Sequence, residues 1–215
     1  LPLERRLELV RRTSAAGVLI IEDDPYGELC FGEQPLPSLH SLNPDGVAYL
    51  GSFSKVLAPG LRTGYVIAPV WLISKLTQLK QAADLHTSSF DQRLVCHVIT
   101  CDEMSFQIER IRTMYAARCE AMLAALQSNM PPDVCWTRPS GGMFIWVTLP
   151  PDADSQRLLE RSIDAGQSTR VAFVPGAPFH ANAPKAYYLR LSFVTVDSAR
   201  IHTGIAQLAD NIRAM

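Results

Sequence analysis

The chain has 215 residues, 47% of them hydrophobic and 19% charged, with a formal net charge of −1. That mixture supports a buried core and argues against a disordered chain. The near-zero charge, with no block of Lys or Arg, leaves no electrostatic footprint for nucleic acid. No stretch approaches the ~18 apolar residues of a membrane span.

Taken in chain order, residues 3–16 read as an amphipathic helix, with Leu3, Leu7 and Val10 at helical spacing and Gly17 as its stop. The opening residues lead straight into this helix and lack the apolar core of a signal peptide. Val18-Leu19-Ile20-Ile21 is a short unbroken apolar run, expected as a strand covered on both faces. An acidic turn follows, Glu22-Asp23-Asp24-Pro25-Tyr26-Gly27. Val47–Leu50 and Tyr65–Ala68 are two further strands. Helices are expected over 70–84, 90–101 and 104–128, the last with a stripe at Ile108, Ile111, Tyr115, Cys119, Met122 and Leu126. Pro131-Pro132 ends it. Strands at 143–147, 171–174 and 187–193 then alternate with helices at 155–165 and 197–214.

This order predicts an α/β fold in two parts. Residues 1–105 form part of a mainly parallel sheet with helices, and residues 106–215 a smaller α+β domain beginning with a long connecting helix. The five cysteines are odd in number and contain no CxxC, so reduced, mostly buried thiols in a cytoplasmic protein are expected. No His/Cys pair has zinc spacing, so no metal site is expected. The five histidines are scattered, and Trp71, Trp136 and Trp146 read as core or interface residues.

Four places could carry chemistry. Lys55 ends the segment Ser52-Phe53-Ser54-Lys55 just past a strand. Alone, it reads equally as a lysine reaching from a loop into solvent. Arg62 stands seven residues on, after Pro59-Gly60. Two hydroxyls, backbone N–H groups and its guanidinium could converge on a phosphate, with Lys55 beside it to form an imine with an aldehyde. Arg62 also reads as a surface ion-pair residue. Asp23 and Asp24 stand at the carboxyl end of a strand, where α/β sheets place ligands, or serve as turn aspartates before Pro25. A carboxylate there would keep a pyridine nitrogen protonated, with the Tyr26 hydroxyl nearby. Arg190, between Leu189 and Leu191, either faces solvent or offers its planar fork to a carboxylate.

In combination, these residues resemble the fold-type I, class I/II aminotransferases over essentially the whole chain. Ser52-Phe53-Ser54-Lys55 with Arg62 is similar to the family's lysine motif and phosphate arginine. Asp23-x-x-Tyr26 is similar to its ring-nitrogen aspartate and ring-hydroxyl tyrosine, and that spacing selects Asp23 over Asp24. Three more segments match in order: Pro139–Trp146, Val174-Pro175-Gly176-x-x-Phe179 and Leu189-Arg190-Leu191-Ser192-Phe193. The acidic turn and Ala83-Asp84-Leu85-His86-Thr87 resemble the 2-aminoadipate/kynurenine branch, which also resembles the cofactor domain of MocR-type transcription regulators.

The resemblance implies pyridoxal 5′-phosphate, held as a Schiff base on Lys55 and bound by Asp23, Tyr26, Ser52, Ser54 and Arg62. It implies amino acid and 2-oxo acid substrates, gripped through the α-carboxylate by Arg190, and a homodimer in the cytoplasm. Family members supply a glycine- or serine-rich phosphate loop, a ring stacked on the cofactor and an asparagine in an N-P-x-G turn from a preceding half. This sequence has none of these, so it is expected to be the C-terminal part of a longer protein. A regulator's effector domain and a lyase of the same fold remain alternatives.

Overall fold

The computed structural model describes residues 1–32, 36–101 and 103–215. They form two compact units, Leu1–Ile111 and Arg112–Met215. In the first, α1 (Leu3–Ala15) precedes β1 (Ile20–Asp23), a single turn of helix α2 (Leu39–Leu42), β2 (Val47–Ser52) and β3 (Gly64–Ile67). Helices α3 (Val70–Asp84) and α4 (Ser89–Thr100) follow. Helix α5 (Glu103–Asn129) carries the chain from the first unit into the second.

β1 starts two residues later than its apolar run suggests. The reason is the end of α1: Gly17 takes φ +64°, its N–H donates to the Ser14 carbonyl at 3.2 Å, and the Val18 N–H donates to the Thr13 carbonyl at 2.9 Å. Val18 is thus still bonded to the helix, in the pattern of a Schellman motif. The strand order is β1-β2-β3. β1 and β2 are parallel, with Asp23 opposite Leu50, and β3 runs antiparallel to β2, with Gly64 opposite Ser52. The expected mainly parallel layer is therefore a mixed sheet in these residues. Nor is β1 covered on both faces: Ile21 is 67% exposed. The stripe of α1 is likewise open, since none of its residues is buried. Trp71 is exposed too, so it is no core residue of this unit, and of its two expected roles only that of an interface residue stays open.

The second unit is a four-stranded antiparallel sheet in the order β4-β5-β7-β6. Its strands are β4 (Cys135–Trp136), β5 (Phe144–Thr148), β6 (Val174–Pro175) and β7 (Tyr188–Ser192), joined by α6 (Ser155–Ile163) and closed by α7 (Ser198–Arg213). Alternation is clean. Ile145, Val147, Leu189 and Leu191 are buried, while Phe144, Trp146, Tyr188 and Arg190 lie on the other, half-open face. Met122, Leu126, Ile205 and Leu208 extend the core. β6 is shorter than the expected 171–174 strand, because the Val171 N–H donates instead to the Ser162 carbonyl of α6 at 3.0 Å.

All five cysteines are free thiols. Only Cys119 is buried; Cys96, Cys101 and Cys135 are exposed, contrary to the expectation of mostly buried thiols. Among the described residues no cluster could hold a metal ion, and no helix is long and apolar enough to cross a membrane.

Leu189, fully buried at the centre of the second sheet, sets a test of this core. Leu189→Ala should lower the unfolding free energy by about 2–5 kcal/mol through lost transfer energy and a residual cavity, read from the urea midpoint.

Candidate active site

The strand register gathers the candidate residues at one end of the first sheet. β1 and β2 finish side by side, so Asp23 and Ser52 reach the same end. β3 runs back from that end, which places Arg62 two residues before its first residue, Gly64. Alternation puts Ile21, Asp23 and Ser52 on one face of the sheet.

Beyond β2 the chain makes a helical turn: the Leu57 and Ala58 N–H groups donate to the Phe53 carbonyl at 2.9 and 3.1 Å. Buried Val56 anchors it. The Ser54 N–H donates to Ser52 Oγ at 3.2 Å, and the Phe53 N–H to the Thr63 carbonyl at 3.2 Å. The Lys55 turn and the Arg62 turn are thereby tied together. Lys55 is half-buried and has no hydrogen bond or ion pair among the described residues. The other lysines are all exposed: Lys75, Lys80, which pairs with Asp84 at 2.9 Å, and Lys185, which lies 6.0 Å from the Tyr187 ring centre.

Arg62 occupies the left-handed region, at φ 48° and ψ 33°. A side-chain-bearing residue is disfavoured there by roughly 1–2 kcal/mol. Such an outlier is a reason to look for function. Its guanidinium is exposed and, among the described residues, donates only to the Pro59 carbonyl, at 3.3 Å.

The two aspartates differ. Asp23 is exposed and makes no side-chain hydrogen bond among the described residues. Asp24 accepts from the Tyr49 hydroxyl at 3.4 Å and lies so close over Gly27 that an added Cβ there would come within 2.1 Å of it. Burial, then the charge of Asp24, hold the Tyr49 phenol above its ordinary range, so it keeps its proton to donate. Asp24 is thus occupied in the turn, leaving Asp23 as the carboxylate open to a ligand. Tyr26 lies half-buried within the same turn.

A cleft of about 650 Å³ in the first unit is lined by Phe53, Thr63, Tyr65, Lys80 and His86 among others, and by none of the candidate residues. Its lysine is the one held by Asp84. A smaller cavity of about 180 Å³ includes Ser52 together with Asp24, Tyr49 and Tyr65. Size alone therefore does not select the chemistry.

In the second unit Arg190 sits in an aromatic bracket. Its guanidinium carbon is 3.9 Å from the Phe144 ring centre and 5.0 Å from that of Phe179. Phe179 in turn meets Trp146 edge-on at 5.4 Å. Arg190 Nε is buried without a partner among the described residues. Such a donor is costly to leave unmatched, and a carboxylate would match it. Thr63, Phe144 and Phe179 were not read as site residues. The matching motifs around Phe144 and Phe179 marked the segments, while their stacking on Arg190 depends on cross-strand pairing.

A family profile described as "Aminotransferase class I and II" matches residues 1–208. The chain belongs to that family. It is 42% identical to the 2-aminoadipate transaminase of Thermus thermophilus, over 100% of this chain and 54% of that protein. It superposes with a TM-score of 0.92, at 42% identity, on the crystal structure of an α-aminoadipate aminotransferase from Thermus thermophilus complexed with N-(5′-phosphopyridoxyl)-L-leucine, covering 99% of this chain and 55% of that one. The HTH-type transcriptional regulator TauR of Rhodobacter capsulatus is 32% identical over 99% of this chain and 43% of its own length. The chain thus spans about half the length of the curated relatives it matches.

Arg62→Gly separates fold from binding. Glycine adopts φ 48° freely, so the unfolding midpoint should hold or rise slightly. Retention of pyridoxal 5′-phosphate by the full-length protein should fall at least about tenfold, as expected for losing a charge-assisted hydrogen bond. A variant destabilised with unchanged cofactor affinity would assign Arg62 a folding role only.

Proposed function

We propose that this chain is the part of a pyridoxal-phosphate-dependent aminotransferase that carries its lysine, moving an amino group between an amino acid and a 2-oxo acid. The observation that carries the reading is Lys55. It is the one half-buried lysine, free of any ion pair among the described residues, at the sheet end where Asp23, Ser52, Ser54 and Arg62 also stand. The donor set fits the group: an amine, two hydroxyls and a guanidinium for an aldehyde and a phosphate, and an open carboxylate for a pyridine nitrogen.

The first unit would be the C-terminal part of the cofactor-binding large domain and the second the small domain. Ser52, Ser54 and Arg62 bind the phosphate, and the Tyr26 hydroxyl donates to the ring oxygen. Pyridoxal phosphate supplies an electron-withdrawing ring that accepts the electron pair left when a Cα bond breaks. The Asp23 carboxylate holds the proton on the ring nitrogen. Lys55 Nζ would hold the cofactor through its aldehyde carbon, and the same amine would move a proton at the substrate Cα as general base and acid. On the second unit, Arg190 binds the substrate α-carboxylate, with Phe144 and Phe179 holding its guanidinium flat. The relatives' names favour an enzyme acting on amino acids, the free thiols a cytoplasmic one, and the family resemblance a homodimer.

A second reading, the effector domain of a transcription regulator, draws on the TauR similarity. A winged-helix segment upstream of Leu1 together with absent turnover would favour it. A lyase of the same fold would release ammonia or carbon dioxide in place of an aminated acceptor.

The test is borohydride reduction of the full-length protein with pyridoxal 5′-phosphate, followed by peptide mapping. The label should fall on the peptide containing Lys55. Lys55→Ala should abolish both the label and transamination while leaving the unfolding free energy of the cofactor-free protein within ~1 kcal/mol, since no protein partner is lost. Label on Lys75, Lys80 or Lys185 would contradict the assignment.

A further inference from the structure

The second unit holds a cavity of about 550 Å³ that the functional reading above does not use. Its walls come from α5, the 169–172 segment, the end of β7 and α7, all within that unit. The floor is apolar: Met122, Leu191, Ile201 and Ile205 line it, and each is also part of the buried core. Leu191 points to the buried face of the sheet, while Arg190 stands on the other. None of Arg190, Phe144 and Phe179 lines the cavity, so it is separate from the bracket proposed for the substrate carboxylate.

Two observations say what it would take. Arg170 and Arg200 both line it, both are exposed, and neither side chain makes a hydrogen bond or ion pair among the described residues. No carboxylate lines the cavity among the described residues. Asp197, close by in sequence, is occupied at the start of α7, where its side chain accepts from the Arg200 backbone N–H at 2.9 Å. Two guanidiniums at one cavity repel each other, and an anion between them removes that cost. The second observation is Gly204, inside α7. Glycine in a helix interior is less stable than alanine. Crowding does not require it here: an added Cβ would meet Val171 Cγ2 at 3.7 Å, an ordinary contact. What the absent side chain leaves is room in the cavity, which Gly204 also lines.

We propose that this cavity is a second ligand site, for an organic monocarboxylate with an apolar body. The guanidiniums of Arg170 and Arg200 hold the carboxylate, and the floor of Met122, Leu191, Ile201 and Ile205 takes the apolar part. A cavity of this size suits a small molecule, and arginine's planar fork suits a carboxylate. A bare inorganic anion would leave the apolar floor uncovered.

The experiment uses the full-length protein carrying Arg190→Gln, so that the carboxylate grip proposed for Arg190 adds nothing to the signal. Octanoate, its uncharged amide and inorganic phosphate are each titrated by calorimetry. Octanoate should bind saturably at a single site. Its amide should bind at least about tenfold more weakly, the loss expected for a charge-assisted hydrogen bond. Adding Arg170→Gln or Arg200→Gln should weaken octanoate by a similar factor. Gly204→Leu should abolish binding by filling the cavity. Should that variant fail to fold, the two arginine variants, altered only at exposed positions, decide alone. Absence of saturable octanoate binding overturns the proposal, and a cavity covered by other parts of the full-length chain would give that result. So does octanoate binding that either arginine variant leaves unchanged, or that a folded Gly204→Leu retains. Phosphate binding as tight as octanoate overturns it too, and marks an adventitious ion only.

Discussion

One register organises the candidate site. Asp23 lies opposite Leu50 in a parallel pair, and Ser52 lies opposite Gly64 in an antiparallel one. Two strands therefore finish, and a third begins, at the same end of one small sheet. Asp23, Ser52, Ser54, Lys55 and Arg62, scattered from position 23 to position 62, therefore stand at that end. A slip of one residue in either pair would turn its side chains to the opposite face and disperse the group. The bonds between the Phe53 N–H and the Thr63 carbonyl, and between the Asp24 N–H and the Leu50 carbonyl, continue the same pairings beyond the strand ends.

The two units differ in how they bury apolar surface. The second closes on itself, with Ile145, Val147, Leu158, Leu189, Phe193 and Leu208 at 2% exposure or less. The first leaves large side chains open, among them Ile21, Trp71, Leu79 and Phe90. Open apolar surface of this kind marks places where other chain or another molecule packs. It accords with a chain that spans about half the length of its relatives.

Helices and most strands were legible because their periodicities are strong: the α5 stripe and the alternation of 188–192 both appear where expected. The shift of β1 was not, because the hydrogen bond from Val18 to Thr13 competes locally with an apolar run. Nor was the loss of residues 171–173 from β6, which depends on a bond to Ser162 in a preceding helix. Lys55, Asp23 and Arg62 in the first unit, and Arg190 in the second, were legible as motif letters. The burial of Glu22 was not legible, because its partners are two backbone amides and an arginine from other segments, and backbone amides carry no letter. The roles of Phe144 and Phe179 around Arg190 were hidden for a similar reason: they arise from cross-strand neighbours, not from spacing along the chain.

The most direct test of the central claim is a crystal structure of the full-length protein with pyridoxal 5′-phosphate. The account predicts Lys55 Nζ joined to the cofactor's aldehyde carbon, the phosphate against Ser52, Ser54 and Arg62, and the ring nitrogen within hydrogen-bonding distance of Asp23. A cofactor seated in the cleft beside Lys80, or a ring nitrogen facing Asp24 instead, would contradict it.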